Sequence, residues 1–170
     1  MAPSERATAP QTTPLLTVSV PIGLQYGGTE GGIRSSGSVL RVSSGQSLLL
    51  LGGNVNLDDS SLDVDSSQGG RIELGGVSGP GTVGLNVDGN NLRLSFPNEV
   101  ARADVSLSNG ARLDVLAEDG GSIAINARNL DVSGGSVLAA GIGAGLGNVL
   151  VSNSWLSVGE ISSCDRKSKL

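Results

Sequence analysis

The stretch that decides the fold runs from Gly110 to Ala140 and reads GARLDVLAEDGGSIAINARNLDVSGGSVLAA. Four times it turns on Gly or Asn and then places two apolar residues at alternate positions. Such alternation indicates a β-strand with one buried face. A strand of about five residues buries too little surface to be stable alone, so we expect it to stack on copies of itself. The apolar pairs are Leu113/Val115, Ile123/Ile125, Leu130/Val132 and, less regularly, Val137/Ala139.

The same unit recurs upstream as far as Val39, with strands starting roughly 7 to 13 residues apart, which leaves no room for helices between them. Glycine pairs beside the strands suit the left-handed corners of a coil. At roughly 20 to 30 residues per coil, we predict an all-β fold, a right-handed parallel β-helix (a single-stranded right-handed superhelix) of about five coils. The residues expected to point inward are Val55, Leu57, Ile72, Leu74, Val83, Leu85, Val105, Leu107, Leu113, Val115, Ile123, Ile125, Leu130 and Val132.

An antiparallel meander or sandwich is the alternative fold. The dipeptides Asp88-Gly89 and Asn109-Gly110 favour the tight turns that close β-hairpins. An antiparallel pairing across Asn109-Gly110, or an exposed Ile123 and Ile125, would contradict the solenoid. The short units and the recurring Gly-Xaa-apolar-Xaa-apolar phase favour the β-helix.

The composition is that of a narrow aliphatic core. The 170 residues include 27 Gly and 38% hydrophobic residues but only 2% aromatic residues, which are Tyr26, Phe96 and Trp155. Globular cores of this size normally use aromatic rings as large fillers. Val, Leu and Ile must therefore fill the interior, as they do where each coil adds one thin layer of stacked side chains.

Charge and residue content exclude several function classes. The net charge of −5 argues against a nucleic-acid partner, because phosphate binding needs a basic surface. The absence of His removes His-based triads and His-ligated metals, and a single Cys cannot form an internal disulfide. No apolar run approaches the roughly 18 residues of a membrane helix, so we predict no membrane span.

Four motifs contain residue types that occur in functional sites. The acidic cluster Asp58, Asp59, Asp63 and Asp65 has the residue type that acid–base chemistry on polysaccharides or calcium binding uses, but we expect these side chains to face solvent. Gly141–Gly147 lacks the spacing of a nucleotide loop, and Asn86–Asn90 lacks the closing Glu of a calcium loop. Arg102-Ala-Asp104 lies at a strand entry. We predict no catalytic, cofactor-binding or metal-binding residues and no cofactor.

The chain divides into three parts by composition. Residues 1–14 are rich in Ala, Pro, Ser and Thr and are predicted to be disordered, and residues 15–151 form the repeat domain. Residues 152–170 lose the repeat phase and bring in Trp155 and Cys164, as an irregular and foreign or frame-shifted tail would. A poorly capped last coil predicts end-to-end self-association, with Cys164 near the contact.

Several segments, in order, resemble the interior repeats of one family of exoproteins. Asn54–Asp58 (NVNLD), Gly70–Gly75 (GRIELG), Arg102–Leu107 (RADVSL) and Gly121–Ala127 (GSIAINA) are similar to filamentous haemagglutinin-like proteins of the two-partner secretion type. The resemblance covers roughly residues 15–146. It implies a long right-handed β-helix exported through a dedicated outer-membrane transporter, with a structural or adhesive role at the bacterial surface. The partners it implies are cell-surface carbohydrate or protein, bound through the parent exoprotein.

The sequence departs from that family at both ends. It shows no signal peptide and no recognised N-terminal secretion domain, so we expect an interior fragment that is not exported on its own. The favoured function is a non-enzymatic structural or adhesive segment. Two alternatives stay open, namely a polysaccharide-processing β-helix enzyme of the pectin-lyase-like type and a degenerate fragment without activity.

Overall fold

The computed structural model describes residues 23–28, 31–65, 67–142, 148–152 and 155–158. This part of the chain contains sixteen β-strands and no helix, so the all-β prediction is confirmed. The strands are β1 (Gly23–Tyr26), β2 (Ile33–Ser36), β3 (Val39–Val42), β4 (Ser47–Gly52), β5 (Val55–Asp58), β6 (Ser61–Val64), β7 (Arg71–Gly76), β8 (Gly81–Asp88), β9 (Asn91–Ser95), β10 (Val105–Ser108), β11 (Arg112–Ala117), β12 (Ser122–Asn126), β13 (Asn129–Val132), β14 (Val137–Ile142), β15 (Asn148–Ser152) and β16 (Trp155–Val158).

Thirteen of the strands form three parallel sheets, and the chain visits these sheets in a fixed order. The first sheet has the order β16-β13-β10-β5-β2, the second β14-β11-β6-β3 and the third β15-β12-β7-β4. Ile33 pairs with Val55 and Val105 with Leu130, so one circuit of the three sheets takes 22 to 25 residues at these places. This spacing agrees with the predicted coil length.

The core lies between the three sheets and is aliphatic. Its buried members are only Val, Leu, Ile and Ala, and each strand pairs apolar core residues with apolar core residues of its neighbour. Ile72 pairs with Ile123, and both side chains are fully buried. Every residue predicted to point inward is buried except Leu85, which is half-buried. The facing assignments are therefore correct at these positions, but the Val137/Ala139 pair was assigned to the wrong face. Val137 is 38% exposed, and Leu138 and Ala140 of β14 face the core instead.

The corner between the first and second sheets uses the left-handed backbone region in each successive coil. Gly37, Asp59, Asn109 and Gly134 all have φ between 48° and 61° there. Asn tolerates this conformation, and Gly adopts it freely. Asn109-Gly110 thus turns the chain from β10 into β11, which lies in another sheet. The antiparallel hairpin considered at that dipeptide is not formed.

One part of the repeat prediction is wrong. Residues 81–96 were expected to form parallel strands of the stack, but β8 and β9 form an antiparallel hairpin, and β1 adds to its other side. The turn is the other hairpin dipeptide, Asp88-Gly89, with a φ of 58° at Gly89. The segment is an insertion, because Val55 of β5 pairs directly with Val105 of β10.

The stack also continues beyond residue 151, where we expected the repeat to lose its phase. Leu156 pairs with Leu130 and Val158 with Val132, so β16 lies in parallel register on β13. The predicted disordered segment 1–14, most of the Gly141–Gly147 run and Cys164 lie outside the described residues.

Replacing Ile125 by Asp should destroy the stack, because its side chain is fully buried in the aliphatic core. An unpaired buried carboxylate costs several kcal/mol, which is comparable with the whole stability of a domain. Arg128→Ala, three residues on but at an exposed bend, should cost far less. Denaturant unfolding of both variants measures the difference, and equal losses would contradict the inward and outward assignment.

Candidate functional site: the inserted hairpin and its groove

The inserted hairpin covers the outer face of the third parallel sheet. In β4, Leu48 and Leu50 contact the main core, whereas Leu49 and Leu51 contact a second apolar cluster under the hairpin. A strand with both faces covered reads as a continuous apolar run, which explains the four successive leucines. The buried members of the second cluster are Val77, Val83, Leu94 and Val100.

A buried carboxylate connects the hairpin to the sheet. Glu73 lies at an outward position of β7 and is only 2% exposed. Its Oε2 accepts hydrogen bonds from Arg71 Nε at 3.1 Å and from the Leu94 backbone N–H at 3.0 Å, and its Oε1 accepts one from Asn126 Nδ2 at 3.2 Å. Arg71 also donates to Ser122 Oγ in the next coil. Both carboxylate oxygens of Glu73 thus have hydrogen-bond donors, and Arg71 supplies the opposite charge, as burial of a carboxylate requires.

Side chains also satisfy the edge of β9. The N–H groups of Leu92 and Leu94 donate to Ser47 Oγ and Glu73 Oε2, both 3.0 Å away. These contacts fix the hairpin along the sheet. Further along, a Cβ at Gly75 would lie 2.5 Å from Leu51 Cδ1 and 2.7 Å from Phe96 Cζ, so this glycine makes room for both side chains. The Arg102 guanidinium lies 5.6 Å from the Phe96 ring centroid.

An open groove of about 870 Å³ lies between the hairpin tip and the corner that joins the second and third sheets. One wall is the tip, residues 88–91, together with Arg93. The other wall carries Gln68, Asp119 and Ser122 beside glycines from successive coils. A Cβ at Gly121 would collide with the Val115 carbonyl oxygen, so tight packing requires these glycines and leaves the groove floor as bare backbone.

The acidic cluster considered from the sequence does not converge on one point. Asp58 accepts from Ser108 Oγ at 3.0 Å and from Asn109 Nδ2, while Asp63 pairs with Arg41 at 3.1 Å. Asp59 and Asp65 are exposed. Within the described residues, no group of three acidic or Cys side chains has the arrangement of a metal site. The same part of the chain holds no helix capable of crossing a membrane.

The remaining motifs have defined places. Asn86–Asn90 forms the end of the hairpin, where residues 88–90 line the groove. In the Arg102-Ala-Asp104 motif, Arg102 lies over Phe96, and Asp104 bonds to Arg128. Sequence reasoning missed Glu73 and the groove. The four leucines of β4 were the one signal that something covers the outer face of the third sheet.

Asp104 ties three successive coils together at the exposed edge of the first sheet. Its carboxylate accepts from Arg128 Nε and Nη2 at 2.9 and 2.7 Å and from Asn129 Nδ2 at 2.8 Å. Its backbone N–H donates to Asn54 Oδ1 at 3.1 Å. The hydrogen bond from Arg128 is the largest influence that lowers the pKa of Asp104, and the charge of Arg128 adds to it.

The family model for the TPS (two-partner secretion) secretion domain matches residues 2–125, well over half of the 170-residue chain. The chain therefore belongs to the TPS secretion domain family. It has no significant match among curated proteins or solved structures.

This match confirms the resemblance to two-partner secretion exoproteins and corrects its placement. We expected interior repeats without a secretion domain, whereas the matched region is the secretion domain itself. The error has a physical origin. The matched region and the strands that follow it, β13 to β16, are built from similar short strands, so the alternating pattern does not tell which region of an exoprotein a segment comes from.

Removing the buried carboxylate should loosen the hairpin. Glu73→Ala leaves Arg71, Asn126 and the Leu94 N–H without their acceptor, and breaking a buried pair costs about 3 to 5 kcal/mol. The matched control is Asp63→Ala, which breaks an ion pair whose Arg41 side chain is 70% exposed and should cost about 1 kcal/mol or less. Chemical denaturation compares the two, and a similar loss for both would refute the anchoring role of Glu73.

Acid should weaken the Asp104 tie. Because the folded-state pKa of Asp104 lies below the ordinary value of 3.8, its contribution to stability is present above that value. It is lost as the pH falls through the lowered pKa. The drop in melting temperature from about pH 7 to about pH 3 should therefore be larger in the wild type than in Asp104→Asn. An equal fall in both proteins would show that the pair does not contribute.

Proposed function

We propose that this chain directs the export of a two-partner secretion exoprotein by binding that protein's dedicated outer-membrane transporter. The family match over residues 2–125 carries the proposal, because a secretion domain is the part of an exoprotein that its transporter must recognise. The parent protein is then secreted or held at the outer cell surface. Carbohydrate or protein at the surface of another cell would be bound by the parent exoprotein.

The fold that we propose for this role is a right-handed parallel β-helix of about five coils. Five strands in the first sheet and four in each of the others, visited in constant order, support it. Crossovers between parallel strands of one sheet are right-handed in nearly all proteins, which supports the hand. We place a separate segment at 1–14, the repeat domain at 15–151 with β16 stacked on it, and a tail after that strand.

A non-enzymatic role is the better supported of the open alternatives. Asp58 and Asp63, which an acid–base pair would need free, are instead bonded to different neighbours, Asp58 to Ser108 and Asp63 to Arg41. The chain also has no His, and carbohydrate sites usually present aromatic rings that are scarce here. The match to a defined family supports a working domain in preference to a degenerate fragment.

Export gives the direct test. The chain is placed between a cleavable signal peptide and a reporter passenger and is produced with or without the transporter encoded beside its parent gene. We expect the reporter in the medium or on the cell surface only when both are present. The control carries Ile125→Asp at a site of the stack that lies away from the groove, and it reports whether export needs a foldable domain. Export that does not depend on the transporter would refute the proposed function.

A further inference from the structure

We infer that the groove between the hairpin tip and the glycine corner is the surface that binds the transporter, and that it takes an extended polypeptide segment bearing a basic side chain. This inference rests on the proposed function and names the contact through which it acts. Three observations lead to it, concerning the position of the groove, its rigidity and its chemistry.

The first observation is position. The parallel strands recur with each coil, whereas the hairpin interrupts the recurrence between β7 and β10. The matched family region ends at residue 125, so it contains the hairpin and all but one of the residues lining the groove. Strands β13 to β16, which only repeat the coil, lie outside it. Within the described residues, the inserted hairpin is thus the part of the matched region that departs from the parallel repeat, and it forms one wall of the groove.

The second observation is rigidity. Glu73 holds the backbone of β9 against the third sheet, and Phe96 fills the space above Gly75. The opposite wall is a corner in which Gly69 approaches the Gly120 carbonyl so closely that no Cβ fits. Both walls are therefore set before a ligand arrives, which lowers the entropy that binding must overcome.

The third observation is chemistry. The groove is lined by polar groups, among them Asp88, Asn90, Asn91 and Asp119, with Arg93 as the one cation among its lining residues. Its glycine floor lets a second backbone approach without side chains in the way. An extended segment with a Lys or Arg near the two carboxylates is complementary to this surface in shape and charge. An apolar helix would leave the polar wall without partners.

The test compares charge reversals of matched exposure. Asp88→Lys and Asp119→Lys each reverse a charge in the groove, and Asp131→Lys reverses one on the outer face of β13, away from the groove. All three positions are exposed, so their melting temperatures should agree with that of the wild type. Affinity for the purified periplasmic part of the transporter should fall about tenfold or more in the two groove variants and stay unchanged in Asp131→Lys.

A cross-linking experiment keeps the inference testable if a reversal disturbs folding. In a Cys164→Ser background, Asn90→Cys places a thiol-reactive photo-cross-linker at the hairpin tip, and Asp131→Cys serves as the control. We expect adducts with the transporter from the tip alone. Wild-type affinity in both groove reversals, or equal adducts from both positions, would overturn the groove while leaving the proposed function intact. If the wild-type chain does not bind the transporter and its export does not require the transporter, the proposed function itself is overturned.

Discussion

In-register stacking of short parallel strands is the constraint on which the rest of this structure depends. A strand of four residues such as β5 leaves its backbone groups unpaired unless a neighbour lies on each side, and β2 and β10 supply these neighbours. The side-chain period in a strand is two residues, so a slip by one residue would turn every buried Val and Leu outward. The register is therefore fixed by burial and by backbone pairing together.

The outer face of the third sheet is adapted to the inserted hairpin, which is not part of the repeat. Its first two strands, β4 and β7, present Leu49, Leu51 and Glu73 on the outer face of the sheet. The two leucines are unfavourable in contact with water, and the carboxylate needs hydrogen-bond partners once it is buried. The hairpin answers both needs, with Leu94 contributing its side chain to the apolar cluster and its N–H to the carboxylate. The Arg71–Glu73 ion pair lies within β7, so the hydrogen bond from the Leu94 N–H is the contact by which Glu73 fixes the position of the hairpin on the sheet.

The sequence predicted burial correctly for most of the residues assigned in the parallel strands, because alternation reports burial. It did not predict which strands pair, because parallel and antiparallel strands show the same alternation. Ile123 and Ile125 were placed correctly because both face the core from β12, and alternation coincides with burial in the same way in β5 and β10. Val83 and Leu94 alternate just as regularly, yet they belong to an antiparallel hairpin, and local period does not report which strand a residue pairs with. The groove was beyond prediction for a related reason. Its glycines are required by close backbone contacts between strands that are distant in sequence, and these contacts are visible only in the three-dimensional structure.

The way the insertion closes explains how such an element is compatible with the stack. Val77 and Arg102 form an antiparallel bridge at its base, and the Ser78 N–H donates to the Ala101 carbonyl at 2.9 Å. The segment therefore leaves and rejoins the coil at nearly one point, and β10 continues the register of β5 as though nothing intervened. Because the cost of closing a loop grows only slowly with its length, what lies between the two ends is weakly constrained by the coil. The hairpin tip and the groove can therefore change in length or sequence without altering the register of the parallel strands.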